Sequence, residues 1–149
     1  MKLVIQRVKQ AQVAVESEVI GQINKGALIF LGIAQKDSFR QADWLIKKII
    51  ELRIFDDQDG KMNLSAFEVG AQFLVVSQFT LYGNCAKGRR PSFDEAAEPK
   101  KAQELYDYFV EGLKKNKVVV ATGRFRAMME VSLINDGPVT FILESNADH

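Results

Sequence analysis

A run of polar side chains stands at the end of an apolar segment in the middle of the sequence. Residues 73–76 read Phe-Leu-Val-Val, which is typical of a strand covered on both faces. The residues that follow are Ser77, Gln78, Phe79 and Thr80. Strand ends on a rigid sheet are common places for sites, and hydroxyl, amide and backbone N–H groups can hold a reacting group there. The competing interpretation is a half-buried strand with polar residues facing outward, ended by a turn at Gly83.

The residues that are missing limit the chemistry further. His149, the only histidine, is the last residue, whereas Ser-His-Asp or Cys-His catalysis needs a histidine held rigidly between partners. With Cys85 as the single cysteine, metal sites of the His or Cys type are excluded too. No Walker loop or glycine-rich dinucleotide motif is present. An enzyme built from these residues works by positioning, by backbone N–H donors or by a group of its substrate, and we expect no metal and no cofactor.

A second unusual segment contains Asn135, Asp136, Gly137 and Pro138, between two apolar stretches. Asn-Asp-Gly between strands is typical of a hairpin turn, and proline is tolerated at the start of a strand. About one X–Pro bond in twenty is cis in folded proteins, so the pattern alone favours a trans bond here.

Basic residues cluster in one place near the polar run. The net charge of +1 excludes a strongly basic nucleic-acid binder of the histone type, but it leaves local patches open. Lys87, Arg89 and Arg90 form the densest patch, in a predicted loop at residues 83–98. A solvated surface is the ordinary interpretation of such charges. This loop could instead hold phosphates near Thr80.

Composition indicates an ordinary soluble globular protein. At 149 residues, 47% hydrophobic and 26% charged, the chain is expected to form one domain over residues 1–149. No apolar run has transmembrane length, and charged residues occur too early in the N-terminal segment for a signal peptide. A single cysteine excludes an internal disulfide and permits a reducing compartment. We therefore expect a cytoplasmic protein without a membrane partner.

The elements that would position these residues follow from hydrophobic spacing. Strands are predicted at 2–8, around Val13 and Val15, and then at 19–23, 27–33, 53–55, 73–76, 118–120, 130–134 and 139–143. Two amphipathic helices are predicted, the first after Asp37 and Ser38 and the second from Pro99. Residues 56–61 resemble a tight turn, and residues 145–149 are expected to fray. The order predicts an α+β (mixed α/β) fold with a largely antiparallel, barrel-like sheet and two main helices.

The two polar segments together closely resemble the D-aminoacyl-tRNA deacylase family. The motif at 77–81 reads Ser-Gln-Phe-Thr-Leu, and the motif at 135–140 reads Asn-Asp-Gly-Pro-Val-Thr. Further family-like segments lie at 5–8, 60–63, 90–93, 105–109 and 123–125, so the resemblance covers essentially the whole chain.

The resemblance implies a specific reaction. Members hydrolyse the ester between a D-amino acid, or glycine, and the terminal adenosine of tRNA. They are homodimers with the active site at the subunit interface. Residues 77–80 would surround the scissile ester, and Phe125 and Met129 would line the adenine pocket. Gly137 and Pro138 would be joined by a cis bond and enter the partner's pocket, with Arg7 supporting them and carbonyl oxygens standing where an L side chain would go.

The residues agree with that scheme on several points. A stiff backbone wall can reject an L-amino acid by a clash, while glycine has no side chain to be rejected. The lack of a usable histidine fits a reaction assisted by the 2′-hydroxyl of the tRNA. Thr80 could be a nucleophile, but nothing near it in sequence would activate it. We favour positioning, with the N–H groups of Phe79 and Thr80 as donors to the developing oxyanion.

Alternatives remain open for the role of Arg126 and for the function of the protein. Arg126 stands where the family usually has a small residue, with Met128 close by, and Arg126 could contact a phosphate or point to solvent. The competing functions are a non-catalytic RNA-binding module, an editing hydrolase for a small L-amino acid, which requires a trans Gly137–Pro138 bond, and a purely structural dimer.

Overall fold

The computed structural model describes residues 1–146, and its sheet is built around one long strand. This strand, β1 (Lys2–Val15), was predicted as two separate strands. Its first half pairs antiparallel with β3 (Gly26–Gly32), and its second half pairs antiparallel with β2 (Glu18–Ile23). A two-residue turn with positive φ at Glu16 and Ser17 joins β1 to β2.

A second long strand, β8 (Glu130–Glu144), runs antiparallel to β1 over almost its full length. The sequence predicted two strands here, with a hairpin turn at residues 135–138 as the ordinary interpretation. That interpretation is wrong, because the segments before and after the motif both pair with β1 in the same direction. The motif forms an outward loop within one strand, and the chain does not reverse there.

The apolar run around residues 73–76 lies in the interior of the sheet. This strand, β6 (Gln72–Ser77), is parallel to β3 on one side and to β7 (Val119–Thr122) on the other. Phe73 and Val75 enter the larger of two cores, whereas Leu74 and Val76 enter the smaller one. Both faces of β6 are therefore covered, which explains its unbroken apolar sequence.

The six-stranded sheet curls until its far strands approach each other. A Cβ atom added to Gly21 on β2 would lie 2.5 Å from the carbonyl oxygen of Thr122 on β7, so these two backbones are in contact. The predicted mixed, barrel-like fold is confirmed, with antiparallel pairing around β1 and parallel pairing around β6. Parallel pairing needs long crossovers, which the helices supply.

Both predicted helices cover the larger core. The first, α1 (Phe39–Glu51), begins after Ser38, whose backbone N–H donates to Gln41 Oε1 at 2.9 Å. Between α1 and β6 lie three short elements, namely β4 (Phe55–Asp56), β5 (Met62–Leu64) and α2 (Ala66–Val69). The strand predicted at 53–55 therefore begins two residues later. The other long helix, α3 (Pro99–Lys115), starts at the predicted proline and buries Leu105, Phe109 and Leu113.

The two ends of the described chain meet. The Met1 ammonium group donates to Asp37 Oδ1 at 2.5 Å, and the Ser145 N–H donates to the Met1 carbonyl oxygen at 2.9 Å. Ser145 is buried, which corrects the expectation that the tail frays from this residue. The predictions for residues 147–149, including His149, lie outside the described residues. Within residues 1–146, no helix is long and apolar enough to cross a membrane.

Candidate active site

A cavity of about 790 Å³ opens at the end of β6. It is bounded by the residues that follow β6, by residues 125–129 and by the first turn of α3. Six of the site residues predicted from the sequence line it together: Ser77, Gln78, Phe79, Thr80, Phe125 and Met129. The two segments are far apart in sequence, but β6 and β7 lie side by side and bring them to one edge of the sheet.

A short 3₁₀ helix (Phe79–Tyr82) follows β6 and forms one wall of the cavity. Its position is fixed by the Gln78 N–H, which donates to the Leu31 carbonyl oxygen at 2.8 Å. The first intrahelical bond runs from the Leu81 N–H to the Gln78 carbonyl oxygen at 3.3 Å. The N–H groups of Phe79 and Thr80 come before it, so they have no partner within the helix. They are available to an oxygen atom bound at this wall.

The hydroxyl group of Thr80 is held by an amide. Gln78 Nε2 donates to Thr80 Oγ1, and both side chains belong to the cavity wall. A carboxamide N–H is a donor and cannot take the hydroxyl proton, so this contact orients Thr80 without activating it as a nucleophile. The arrangement suits a positioning group.

Aromatic and sulfur-containing side chains form another part of the cavity lining, alongside aliphatic ones. Phe79 is half exposed and meets Phe93 edge to face, with ring centroids 5.0 Å apart. In the segment that follows β7, the half-buried ring of Phe125 packs on Tyr106, with ring centroids 5.9 Å apart. Tyr106 donates to the Val75 carbonyl oxygen at 2.8 Å, and burial raises the pKa of its phenol, which keeps it neutral. Flat apolar walls of this kind are suited to stacking with a nucleic-acid base.

The three other selected residues form a separate cluster that does not line this cavity. Arg7 is the single β1 residue between the pairs Gln6–Thr140 and Val8–Asn135, and it faces four β8 residues, 136–139. We call residues 136–139 the β8 loop. It contains a cis Gly137–Pro138 bond, and both residues are exposed. The structure therefore has the cis bond that the resemblance implied and that the local pattern disfavoured.

The buried Arg7 guanidinium supports the β8 loop from below. Its Nε donates to the Asp136 carbonyl oxygen at 3.2 Å. Its Nη1 donates to the Ile54 carbonyl oxygen and to Asp56 Oδ1, both at 2.9 Å. The side chain is only 6% exposed, so these partners offset the cost of burying its charge.

Asn135 has a part in this cluster that was not predicted from the sequence. Asn135 Nδ2 donates to the carbonyl oxygens of Arg7 and Val139, each at 3.0 Å, and closes the base of the β8 loop. Asp56 was interpreted as part of a turn and is instead the ion-pair partner of Arg7. Asn135 stood in the quoted motif, so its place beside Gly137 was the available signal. Nothing in the sequence linked Asp56 to Arg7.

The cavity lining also includes Arg126 and Met128, the two residues for which the sequence left alternatives open. Arg126 is exposed and has a positive φ of 64°, and Met128 is 91% exposed. Across the described part of the chain, no three or more His, Cys, Asp or Glu side chains are grouped to hold a metal ion.

Comparison with known proteins identifies the family. Residues 4–144 match the profile described as D-Tyr-tRNA(Tyr) deacylase. A D-aminoacyl-tRNA deacylase of Pelobacter propionicus is 59% identical over 144 residues, which covers 97% of this chain and 99% of the relative. One from Thermotoga petrophila is 51% identical over 146 residues, which covers 98% of both chains.

Two solved structures resemble the fold. The structure of the c-Myc DNA unwinding element binding protein matches with a TM-score of 0.93 and 39% identity, over 99% of this chain and 100% of the other. A probable eukaryotic D-amino acid tRNA deacylase matches with a TM-score of 0.83 over 95% of this chain and 97% of the other, and at 15% identity it supports the fold alone. With the profile match and the relatives above 50% identity, the chain belongs to the D-aminoacyl-tRNA deacylase family.

Proposed function

We propose that this protein, as one deacylase domain, hydrolyses the ester between a D-amino acid, or mischarged glycine, and the 3′-terminal adenosine of tRNA. Its work would be the proofreading of aminoacyl-tRNA in the cytoplasm. The observation that carries the proposal is the cavity at the end of β6. The residues after β6 offer N–H donors and a fixed hydroxyl to an ester, and the segment after β7 offers Phe125 and Met129 to a base.

At the ester end, the protein would act by holding the ester carbonyl group in position for attack by water. Water adds to the ester carbonyl carbon, the carbonyl oxygen gains negative charge, and the bond to the ribose oxygen then breaks. The N–H groups of Phe79 and Thr80 would donate to that oxygen, as in other oxyanion sites. The neighbouring 2′-hydroxyl of the substrate would help to transfer the proton to the departing ribose oxygen. Gln78 would hold Thr80 and so fix the shape of this wall.

A homodimer is supported by the edge of the sheet. Among the described strands, β8 pairs with β1 alone, so its other edge is open along 15 residues. Ile134, Phe141 and Ile142 on this strand are 48%, 38% and 72% exposed. A long open edge with apolar side chains is a surface that proteins normally cover, and pairing of two copies covers it symmetrically.

In such a dimer, the β8 loop of one subunit would enter the cavity of the other. Its backbone carbonyl oxygens would stand where the side chain of an L-amino acid points. Arg7 keeps the Asp136 carbonyl in place, so the loop cannot easily move aside. An L substrate would meet a clash, whereas a D-amino acid or glycine would not.

The decisive experiment compares D-tyrosyl-tRNA and L-tyrosyl-tRNA as substrates of the purified protein, with and without a chelator. We expect rapid release of the D-amino acid alone, at the same rate with chelator. Release of both would favour an editing hydrolase for L-amino acids. Release of neither, with tRNA binding retained, would favour a non-catalytic RNA-binding module.

A matched pair of variants tests the cavity itself. Phe125→Ala removes a ring from the proposed adenine wall and should raise KM for D-tyrosyl-tRNA. Phe67→Ala removes a ring that is 69% exposed on α2 and outside the cavity lining, and it should leave KM unchanged. Equal kinetics of the two variants would show that adenine binds elsewhere.

The dimer has its own test. Ile142→Glu places a charge on the most exposed apolar residue of β8 and should yield a monomer in sedimentation analysis. If the cavity needs the partner's β8 loop, the monomer should lose selectivity against L-tyrosyl-tRNA. A folded monomer with full selectivity would contradict the shared site.

A further inference from the structure

The basic patch lies on a loop that is closed at its base beside the cavity. The Asn84 N–H donates to the Ser92 carbonyl oxygen at 2.7 Å, and the Ser92 N–H donates back to the Asn84 carbonyl oxygen at 3.0 Å. Residues 85–91 therefore project as a loop, which we call the basic loop. The next residue after its base is Phe93, which lines the cavity and packs on Phe79. The base of the basic loop is therefore adjacent to a residue of the cavity lining, and the loop projects beside the cavity.

The basic loop carries charge of one sign, and no ion pair among the described residues neutralises it. Lys87, Arg89 and Arg90 are exposed, and the sequence from 84 to 92 has no acidic residue. Within residues 1–146, none of these three cations forms an ion pair. Three positive charges held together without counter-charges are available to an anionic partner.

The nearby acidic residues are attached to the base of the loop and to the body of the protein. Asp94 Oδ2 accepts from Ser92 Oγ at 2.5 Å. The backbone carbonyl oxygens of Asp94 and Glu95 accept from the side chain and the N–H of Gln35, at 2.6 Å and 2.9 Å. These contacts hold the acidic residues at the stem of the loop. The tip, where Gly88 has a φ of 71°, carries the cations.

We infer that the basic loop binds the sugar-phosphate backbone of the tRNA acceptor end, at the phosphates that precede the terminal adenosine. The inference rests on the proposed function, because an RNA whose last nucleotide fills the cavity must leave through its mouth. Each preceding nucleotide brings one negative charge there. Arginine can hold phosphate oxygens with two parallel hydrogen bonds, and such contacts add affinity without reading sequence.

The experiment compares two triple variants that each remove three exposed lysines or arginines. Lys87→Gln/Arg89→Gln/Arg90→Gln neutralises the basic loop. Lys114→Gln/Lys115→Gln/Lys117→Gln neutralises the end of α3, about 24 Å along the helix from Pro99 at a rise of about 1.5 Å per residue. Each protein is assayed on D-tyrosyl-tRNA and on 3′-O-D-tyrosyl-adenosine, which has the ester and the base but no preceding phosphates.

For the loop variant, KM on D-tyrosyl-tRNA should rise about tenfold or more at moderate salt. The slope of log binding constant against log salt should become shallower by about two, as expected for three lost contacts to a single strand. Its kcat/KM on 3′-O-D-tyrosyl-adenosine should equal that of the unaltered protein. The α3 variant should match the unaltered protein on both substrates.

Two results would overturn the inference. Unchanged kinetics of the loop variant on D-tyrosyl-tRNA would show that the phosphates lie elsewhere. An equal loss on both substrates would show that the loop shapes the cavity and does not hold the backbone. Binding of uncharged tRNA separates this inference from the proposed function. If tRNA binding depends on the basic loop but no turnover occurs, the phosphate contact is supported and the deacylase function is contradicted. If turnover occurs but tRNA binding does not depend on the loop, the deacylase function is supported and the phosphate contact is contradicted.

Discussion

The Nε–H group of Arg7 donates to the backbone carbonyl oxygen of Asp136 at 3.2 Å, and this bond ties a buried β1 side chain to the β8 loop. The same guanidinium also holds the Ile54 carbonyl oxygen and Asp56. A planar fork with donors in fixed directions can serve all three acceptors at once, whereas a lysine ammonium is one flexible point charge.

Arg7→Lys should therefore loosen the β8 loop. We expect the ratio of D- to L-tyrosyl-tRNA deacylation to fall, with release of the L-amino acid becoming measurable. The free energy of unfolding should fall by about 1.5–3 kcal/mol, the contribution of a hydrogen bond to a charged group. Arg53→Lys is the matched control, because Arg53 Nε also donates to a carbonyl oxygen, that of Asn63, but at an exposed position. Unaltered selectivity of Arg7→Lys would contradict its supporting role.

Thr80→Ala should retain deacylation within about tenfold of the original rate, since removing a positioning hydroxyl costs far less than removing a nucleophile. Gln78 donates to Thr80, and the proposed donors to the ester oxygen are backbone N–H groups, which the substitution leaves in place. Single-turnover deacylation of D-tyrosyl-tRNA measures the effect. Near-total loss of turnover with folding and tRNA binding intact would make Thr80 the nucleophile.

Tyr106→Phe tests the support behind the adenine wall. The substitution removes the donor at 2.8 Å from the Val75 carbonyl oxygen, which keeps the Gly123 N–H at 3.3 Å. Because that oxygen is not left without a partner, we expect a loss of about 1 kcal/mol at pH 7, measured by urea unfolding.

The same tyrosine should make stability depend on pH in the alkaline range. Burial raises the pKa of Tyr106 above its usual value, so the unfolded chain loses this proton first, near pH 10. The native state then binds more protons than the unfolded state, and the free energy of unfolding falls as pH rises past about 10. Tyr106→Phe should lose less stability between pH 7 and pH 10.5 than the original protein. The pKa of Tyr82 is also raised by burial, so part of the fall in the free energy of unfolding should remain in the Tyr106→Phe variant. An identical decline in both proteins would contradict the assignment to Tyr106.

The sequence predicted best those features that depend on local pattern. The unbroken apolar run of β6 follows from burial on two faces, and the polar residues after it lie in the cavity because the strand ends there. The spacing of apolar residues also predicted α1 and α3. Neither case requires knowledge of distant contacts.

The predictions were wrong where pairing between strands that are distant in sequence overrides the conformation that the local residues favour. Asn135, Asp136 and Gly137 would favour a hairpin by themselves, but β1 pairs with both flanks and keeps the chain straight. The predicted gap in β1 falls near the exposed Lys9 and Gln10, where the strand changes partner from β3 to β2. Alternation is lost at such a point although the strand continues.

Arg126→Gly, the last prediction, should stabilise the protein. Arg126 has a φ of 64°, a conformation that costs a residue with a Cβ atom about 1–2 kcal/mol, whereas glycine adopts it freely at an entropic cost of about 0.5–1 kcal/mol. The net gain should be about 0.5–1 kcal/mol in thermal or urea unfolding. Lys117→Gly is the matched control, because Lys117 has a φ of 63° after α3 and away from the cavity. Both variants should gain similar stability, and KM for D-tyrosyl-tRNA should stay within about twofold, since a solvated charge at the rim contributes little. A tenfold rise in KM for Arg126→Gly but not for Lys117→Gly would instead indicate that Arg126 contacts a phosphate. Its strained conformation would then be retained because it serves substrate binding.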